Sequence, residues 1–128
     1  MKEAIKTDKA PAAAGPYSAG IREGDYLFVS GQGPFDPGTK RMAEGIEEQT
    51  RQTLENVKAI VEAAGTDMAH VVKVSVFLSN PADFARMNSV YATYFAQPFP
   101  ARSTIGAALM LPGMLIEIDA IAAMGKHD

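Results

Sequence analysis

From Ile46 to Ala64 the chain is apolar or small at every third or fourth residue: Ile46, Thr50, Thr53, Leu54, Val57, Ile60, Val61 and Ala64. That period is helical, and a helix with one apolar stripe must lay it against a partner. Glu47 and Glu48 stand in the first turn, where the helix dipole favours anions, and Gly65 suits the position just past the end. Glu47/Arg51 and Lys58/Glu62 are spaced for ion pairs one turn apart. The partner is predicted by the segments around it. Val71 to Leu78 is rich in β-branched residues and predicts a buried strand. Two short strands precede the helix, Ser18 to Arg22 and Asp25 to Ser30, joined at the hairpin signal Glu23-Gly24. Asn80-Pro81-Ala82-Asp83 supplies an N-cap, a proline at the first helical position and an acid, and opens a second helix running to about Phe95. Pro98 and Pro100 close it, and Ala101 to Gly106 and Leu115 to Ala123 are the last strands. Gly31 to Gly45, with Pro34 and Pro37, reads as a loop, and Lys9 to Pro16 as an extended arm.

The predicted order is β-β-α-β-α-β-β, an α+β single domain over 1–128 with two helices on one face of a mixed sheet. Two helices cover one face only. The strands nevertheless carry apolar residues on both: Val72, Val74, Val76 and Leu78 are expected on one side of their strand, Val71 and Phe77 on the other, and Leu27-Phe28-Val29 is continuous. An uncovered apolar face predicts association with further copies of the chain.

Composition removes several kinds of chemistry. There is no cysteine, so disulfides, thiolate nucleophiles and sulfur-bound metals are excluded. His70 and His127 make a histidine metal site improbable, and neither a metal nor a cofactor is expected. The 12 Lys and Arg are scattered among 15 Asp and Glu, for a net charge of −3, which offers nucleic acid no positive face. Ser30-Gly31-Gln32-Gly33 lacks the lysine of a phosphate-binding loop and the full dinucleotide pattern. The longest apolar stretch, Ile105 to Met124, is broken by Pro112-Gly113 and carries Glu117 and Asp119, so no membrane span is expected. The start of the chain has no apolar run of signal-peptide length, and a cytoplasmic soluble domain is the expectation.

Candidate site residues are polar groups where the pattern asks for apolar ones. Strand Leu115 to Ala123 puts Leu115, Glu117, Asp119 and Ile121 on one side and Ile116, Ile118, Ala120 and Ala122 on the other. Two carboxylates so placed either face solvent at a sheet edge or line a cleft where one is tuned for proton transfer. Arg102 follows the stiff Phe99-Pro100-Ala101 segment; it suits two-pronged binding of a carboxylate, or is a surface residue, or pairs with Glu117. Asn88 shares a helical stripe with Phe84, Tyr91 and Phe95 and so faces inward, as a cap onto a loop or as a ligand contact. Tyr17 is a lone aromatic on the arm, for which packing is the ordinary account.

Several segments, in order, resemble the Rid family (reactive intermediate deaminases, also called the YjgF or L-PSP family). They are Ala10 to Tyr17, Val29-Ser30-Gly31-Gln32, Asn56 to Gly65, Val72 to Leu78, Phe99-Pro100-Ala101-Arg102-Ser103 and Ile116 to Ala122, nearly the whole chain. The resemblance implies a chorismate-mutase-like domain assembled as a homotrimer, with ligand sites in the clefts between subunits. It implies a cofactor-independent deaminase acting on 2-imino or 2-enamino acids, with keto acids and ammonia as products. Arg102 would bind the substrate carboxylate and Glu117 would activate water, while Tyr17, Ser30, Asn88 and Thr104 line the same pocket. Tyr17 or Ser30 would assist in protonating an enamine carbon. Two departures stand out: Thr104 replaces the cysteine common in the family, and the loop Gln97-Pro98-Phe99-Pro100 is shorter than in the best-known members. Other readings keep the pocket without turnover, as a binding or regulatory trimer, or change the substrate to a ring-cleavage or pyrimidine-degradation intermediate. The ribonuclease activity historically attached to the family fits poorly with an acidic chain lacking a histidine pair.

The uncovered face makes one expectation independent of any resemblance. Sedimentation at micromolar concentration should give a mass that is a multiple of 13.6 kDa; a mass equal to one chain would refute association.

Overall fold

The structure is a computed structural model that describes residues 1–125; His127 lies outside them. Six strands form one sheet: β1 (Glu3–Ile5), β2 (Gly20–Glu23), β3 (Tyr26–Gln32), β4 (Val71–Leu78), β5 (Ala101–Gly106) and β6 (Ile116–Ala123), in the spatial order β1-β2-β3-β6-β4-β5. All neighbours are antiparallel except β4 and β5. Helix α1 (Ile46–Ala63) joins β3 to β4, which run parallel on either side of β6, and α2 (Phe84–Tyr91) joins β4 to β5. Both crossovers step in the same direction along the sheet, so connections of one hand put both helices on one face. No helix among the described residues is long and apolar enough to cross a membrane.

The α+β plan with two helices on one face of a mixed sheet is thus observed, with one strand more than expected. Glu3–Ile5 pairs with β2 as a short edge. β3 also runs on to Gln32, two residues into what reads as a loop. β2 starts at Gly20 rather than Ser18, where its ladder to β3 begins opposite Val29, and glycine is required there because a Cβ would stand 2.8 Å from Ile60 Cγ2 of α1.

The core lies between α1 and the strands. Leu54, Val57, Ile60 and Val61 are buried against Leu27 and Val29 of β3 and Ile116, Ile118, Ala120 and Ala122 of β6. The helix ends as expected at Gly65, with φ 94°; Gly65 N–H donates to Glu62 O and Thr66 N–H to Val61 O, which closes the last turn. The expected ion pairs along α1 are not the ones formed. Glu47 instead takes two hydrogen bonds from Arg86 of α2, at 2.8 and 2.9 Å, leaving Arg51 to Glu48 at 3.3 Å. A planar guanidinium facing both carboxylate oxygens outcompetes a single contact along one helix. Asn80 caps the second helix as expected, its side chain accepting from Ala82 N–H at 3.0 Å. The stretch to Tyr94 is part 3₁₀: Pro81–Asp83 and Ala92–Tyr94 flank the α-helical turns.

In β4 the strict alternation fails at its start. The ladder to β6 shifts between Val71 and Lys73, so Val71 turns into the core and Val72 is 44% exposed, the reverse of the expectation. From Val74 onward the alternation holds, with Val74, Val76 and Leu78 buried under the helices. The opposite face of the sheet carries no covering element among the described residues. Phe28 and Ile105 stand 46% and 51% exposed on it, beside the half-buried Ile21, Phe77 and Ile121.

Ile60 touches both layers and is fully buried. Ile60→Ala should lower the unfolding free energy by about 2–5 kcal/mol, read from urea denaturation at one fixed protein concentration.

Candidate active site

β6 lies between β3 and β4, so Glu117 and Asp119 are not at a sheet edge. They point away from the helices, opposite Phe77 and Ser75 of β4. On the β3 side the ladder slips between Val29 and Gln32, and Ser30-Gly31 together face Asp119. This bulge makes room for the glutamate: a Cβ on Gly31 would stand 2.6 Å from Glu117 Oε2. Only glycine lets the carboxylate lie over the β3 backbone. Glu117 is half-buried, and loss of water, with the negative charge of Asp119 second, pushes its pKa up. No cation among the described residues pairs with it.

Glu117 and Gly31 line a cleft of about 750 Å³ with Tyr17, the Ala12–Ala14 part of the arm, Phe35 and Met114. The arm is held in place from β3. Ser30 Oγ donates to Ser18 O, Ser30 N–H donates to Ala19 O at 2.9 Å, and Tyr17 Oη accepts from Ala14 N–H at 3.2 Å. Ser30 therefore spends its hydroxyl proton on positioning the arm. Tyr17 is 51% exposed with its ring on the cleft, so packing does not account for it.

Two buried amides of α1 hold the loops around this cleft. Gln49 donates to Gly113 O at 3.0 Å and accepts from Leu115 N–H at 2.8 Å. Asn56 donates to Gly33 O at 3.0 Å and Phe35 O at 2.9 Å. Neither amide was singled out from the sequence, although a signal existed: both sit on the helix's apolar face, seven residues apart. Polar groups are kept on such a face when they satisfy backbone that would otherwise be orphaned.

Arg102 is elsewhere. In register with Val74 of β4, it lies on the helix side of the outermost strand, and Thr104, in register with Val76, is on the same side and half-buried. Its guanidinium carbon stands 4.6 Å from the centre of the Tyr91 ring and 5.6 Å from that of Phe84. Asn88 falls between those two aromatics on the α2 stripe, and its Oδ1 is buried without a hydrogen-bond partner, as is Tyr91 Oη. A cap from Asn88 onto a loop is therefore not what the structure contains. Burial raises the Tyr91 pKa; the nearby Arg102 charge offsets part of that, although no well-formed hydrogen bond joins them. No ion pair engages Arg102 among the described residues.

The six candidate residues thus fall into two groups within one chain. Tyr17 and Glu117 line the cleft over the uncovered face, with Ser30 outside its lining and bonded to the arm, and Arg102, Asn88 and Thr104 gather at the β5 edge on the helix face. Pairing of Arg102 with Glu117 inside one chain is excluded by the pleat. No group of three His, Asp or Glu among the described residues could hold a metal ion.

The sequence matches the family described as Endoribonuclease L-PSP over residues 7–124. It is 50% identical over 123 residues to a RutC family protein of Pyrococcus horikoshii, covering 95% of this chain and 98% of that one. It is 46% identical over 125 residues to the 2-iminobutanoate/2-iminopropanoate deaminase of Salmonella typhimurium, covering 95% and 98%. The structure of Escherichia coli TdcF with bound serine superposes with a TM-score of 0.89 at 38% identity, over 94% of this chain and 98% of that one. The chain belongs to the L-PSP family, also called the Rid or YjgF family.

Proposed function

We propose that the protein hydrolyses 2-imino acids, with their enamine tautomers, to 2-keto acids and ammonia, in clefts that a homotrimer completes between subunits. The observation that carries this reading is the separation of two unspent groups: a half-buried carboxylate with a raised pKa on one face, and a guanidinium mounted on aromatics on the other. Neither has an ion-pair partner among the described residues of its own chain. A ring of heterologous contacts, in which one patch meets a different patch of the neighbour, brings such halves together. The uncovered sheet face supplies apolar surface for that contact. Serine bound to a relative of the same fold, and the deaminase name of another, support a ligand bearing a carboxylate and nitrogen on adjacent carbons.

The chemistry asks little beyond these groups. The carbon of a protonated imine is already electrophilic, so water can attack it directly. Glu117, held above the usual carboxylate range, takes a proton from the water as its oxygen bonds to carbon. Glu117 then passes that proton to nitrogen, the carbon–nitrogen bond breaks, and ammonia leaves as the carbinolamine hydroxyl gives its proton back to Glu117 and becomes the carbonyl. Arg102 fixes the substrate carboxylate through a charge-assisted pair, roughly 1.5–3 kcal/mol, and so orients the carbon toward the water. Asn88, with its buried oxygen unpartnered beside Arg102, is placed to accept from the imine nitrogen or a bound water. The ribonuclease reading fares worse, since Lys40 is the one cation among the cleft's lining residues.

The test is ammonia release from imines made in situ by an amino-acid oxidase. Arg102→Ala should lower kcat/KM at least roughly tenfold, and Glu117→Gln by roughly 10²–10⁴. Co-refolding the two impaired chains in equal amounts should raise activity above either alone, to roughly a quarter of wild type, because heterologous contacts combine halves of different chains. No restored activity would refute the shared cleft, and no wild-type acceleration over buffer would favour a binding module.

The pH dependence has a definite sign. The base form of Glu117 is required, so kcat/KM should rise with pH through its raised pKa. Asp119→Asn removes the neighbouring negative charge that helps raise that pKa, and should move the rising limb to lower pH. An unmoved limb would show that another group controls it.

A further inference from the structure

Beyond Glu117 the cleft continues over a wall built from Phe35 and Met114, with Leu111 and Met110 at its lip. Its volume, about 750 Å³, is that of sites holding drug-sized ligands, roughly 300–1,000 Å³. In one chain, a three- or four-carbon acid seated on Glu117 would fill only part of it, and the neighbouring subunit that supplies Arg102 takes a further share.

The wall is built rather than incidental. Gln49 grips the peptide groups on both sides of Met114, the carbonyl of Gly113 and the N–H of Leu115. Asn56 grips the carbonyls of Gly33 and Phe35. Gly33 lies beneath both side chains: a Cβ there would stand 3.1 Å from Met114 Cε and 3.1 Å from Phe35 Cε2. The nearly buried thioether, 7% exposed, and the half-buried ring therefore close together over a bare backbone at the wall of the cleft. Two satisfied, buried amides hold that surface in place, so a ligand meeting it orders little that is not already ordered. A methionine in such a wall adapts to linear, branched and aromatic partners alike. The lip, meanwhile, leaves Leu111 52% and Met110 83% exposed, apolar surface that gains from being covered.

We propose that Phe35 and Met114 form a side-chain subsite, and that the preferred substrates are 2-imino acids with large apolar side chains, such as those formed from leucine, methionine or phenylalanine. This rests on the deaminase reading, and the test separates the two. Rates are measured on imines generated from alanine and from leucine, for wild type, Met114→Ser, Met114→Leu and Phe35→Ala, each confirmed folded by its thermal melt. Binding of two unreactive keto acids, pyruvate and 4-methyl-2-oxopentanoate, is followed in parallel by NMR shift perturbation.

The wild-type ratio of kcat/KM, leucine-derived over alanine-derived, should be at least about tenfold. It should collapse toward unity in Met114→Ser and Phe35→Ala, persist in Met114→Leu, and be matched by the ratio of keto-acid affinities. Equal wild-type rates on both imines, or a ratio untouched by both truncations, would overturn the subsite and leave the deaminase standing. No turnover on any imine, with the preference for 4-methyl-2-oxopentanoate retained and lost on truncation, would overturn the deaminase and leave the subsite. Neither turnover nor a binding preference would overturn both.

Discussion

β6 sits between β3 and β4, and its residues alternate between two environments that tolerate no exchange. Ile116, Ile118, Ala120 and Ala122 pack under the helices, and Glu117 and Asp119 go to the other side. Because the period of a strand is two, slipping β6 by one residue against β4 would drive both carboxylates beneath α1. Burying unpaired charge there costs several kcal/mol per ion even after relaxation. The register that builds the core is thus the register that points Glu117 at the cleft. The small Ala120 and Ala122 leave room for the large side chains of α1, and Ile60 in turn reaches Gly20 on β2. Core and site are two sides of one strand.

What could be read in advance follows from how local each cause is. The span of β4 and the stop of α1 at Gly65 depend on residues within the segment itself, and both are where the pattern puts them. Glu3–Ile5 carries no pattern in three residues; it is a strand because β2 offers an edge. The inversion of Val71 and Val72 comes from a ladder shift against β6, which no single strand encodes. Glu47 has Arg51 one turn away, yet it turns to Arg86, which is close only after α2 has docked on α1.

The site divides along the same line. Residue pattern brought out Arg102, Glu117, Asn88 and Tyr17, and the family resemblance added Ser30 and Thr104, but neither gave their distribution between two faces. That distribution is fixed by parallel pairing of β5 with β4, which puts Arg102 beside Val74 on the helix side. Ser30 proves to be a strut for the arm, its hydroxyl committed to Ser18 O. Gly31, which looked like part of an incomplete phosphate loop, is the residue whose missing side chain admits the glutamate.

α1 links the core to the chemistry in a way that its apolar stripe conceals. Gln49 and Asn56 are as buried as their aliphatic neighbours, yet each amide is bonded to loop backbone lying beyond the helix. A hydrocarbon at either position would pack adequately and leave buried carbonyls without donors, at a cost of about 1–3 kcal/mol each. The loops would then be free to drift, while the strands beneath them stayed in place. Rigidity of the cleft is therefore set separately from stability of the sheet. Phe35 and Met114 line the cleft, so substitutions there would alter its wall while the amides that hold the surrounding backbone remain untouched. In the proposed reaction, Arg102 and Glu117 stand on β5 and β6, whose register the core enforces, and the proposed side-chain subsite stands on loops that α1 holds by four hydrogen bonds.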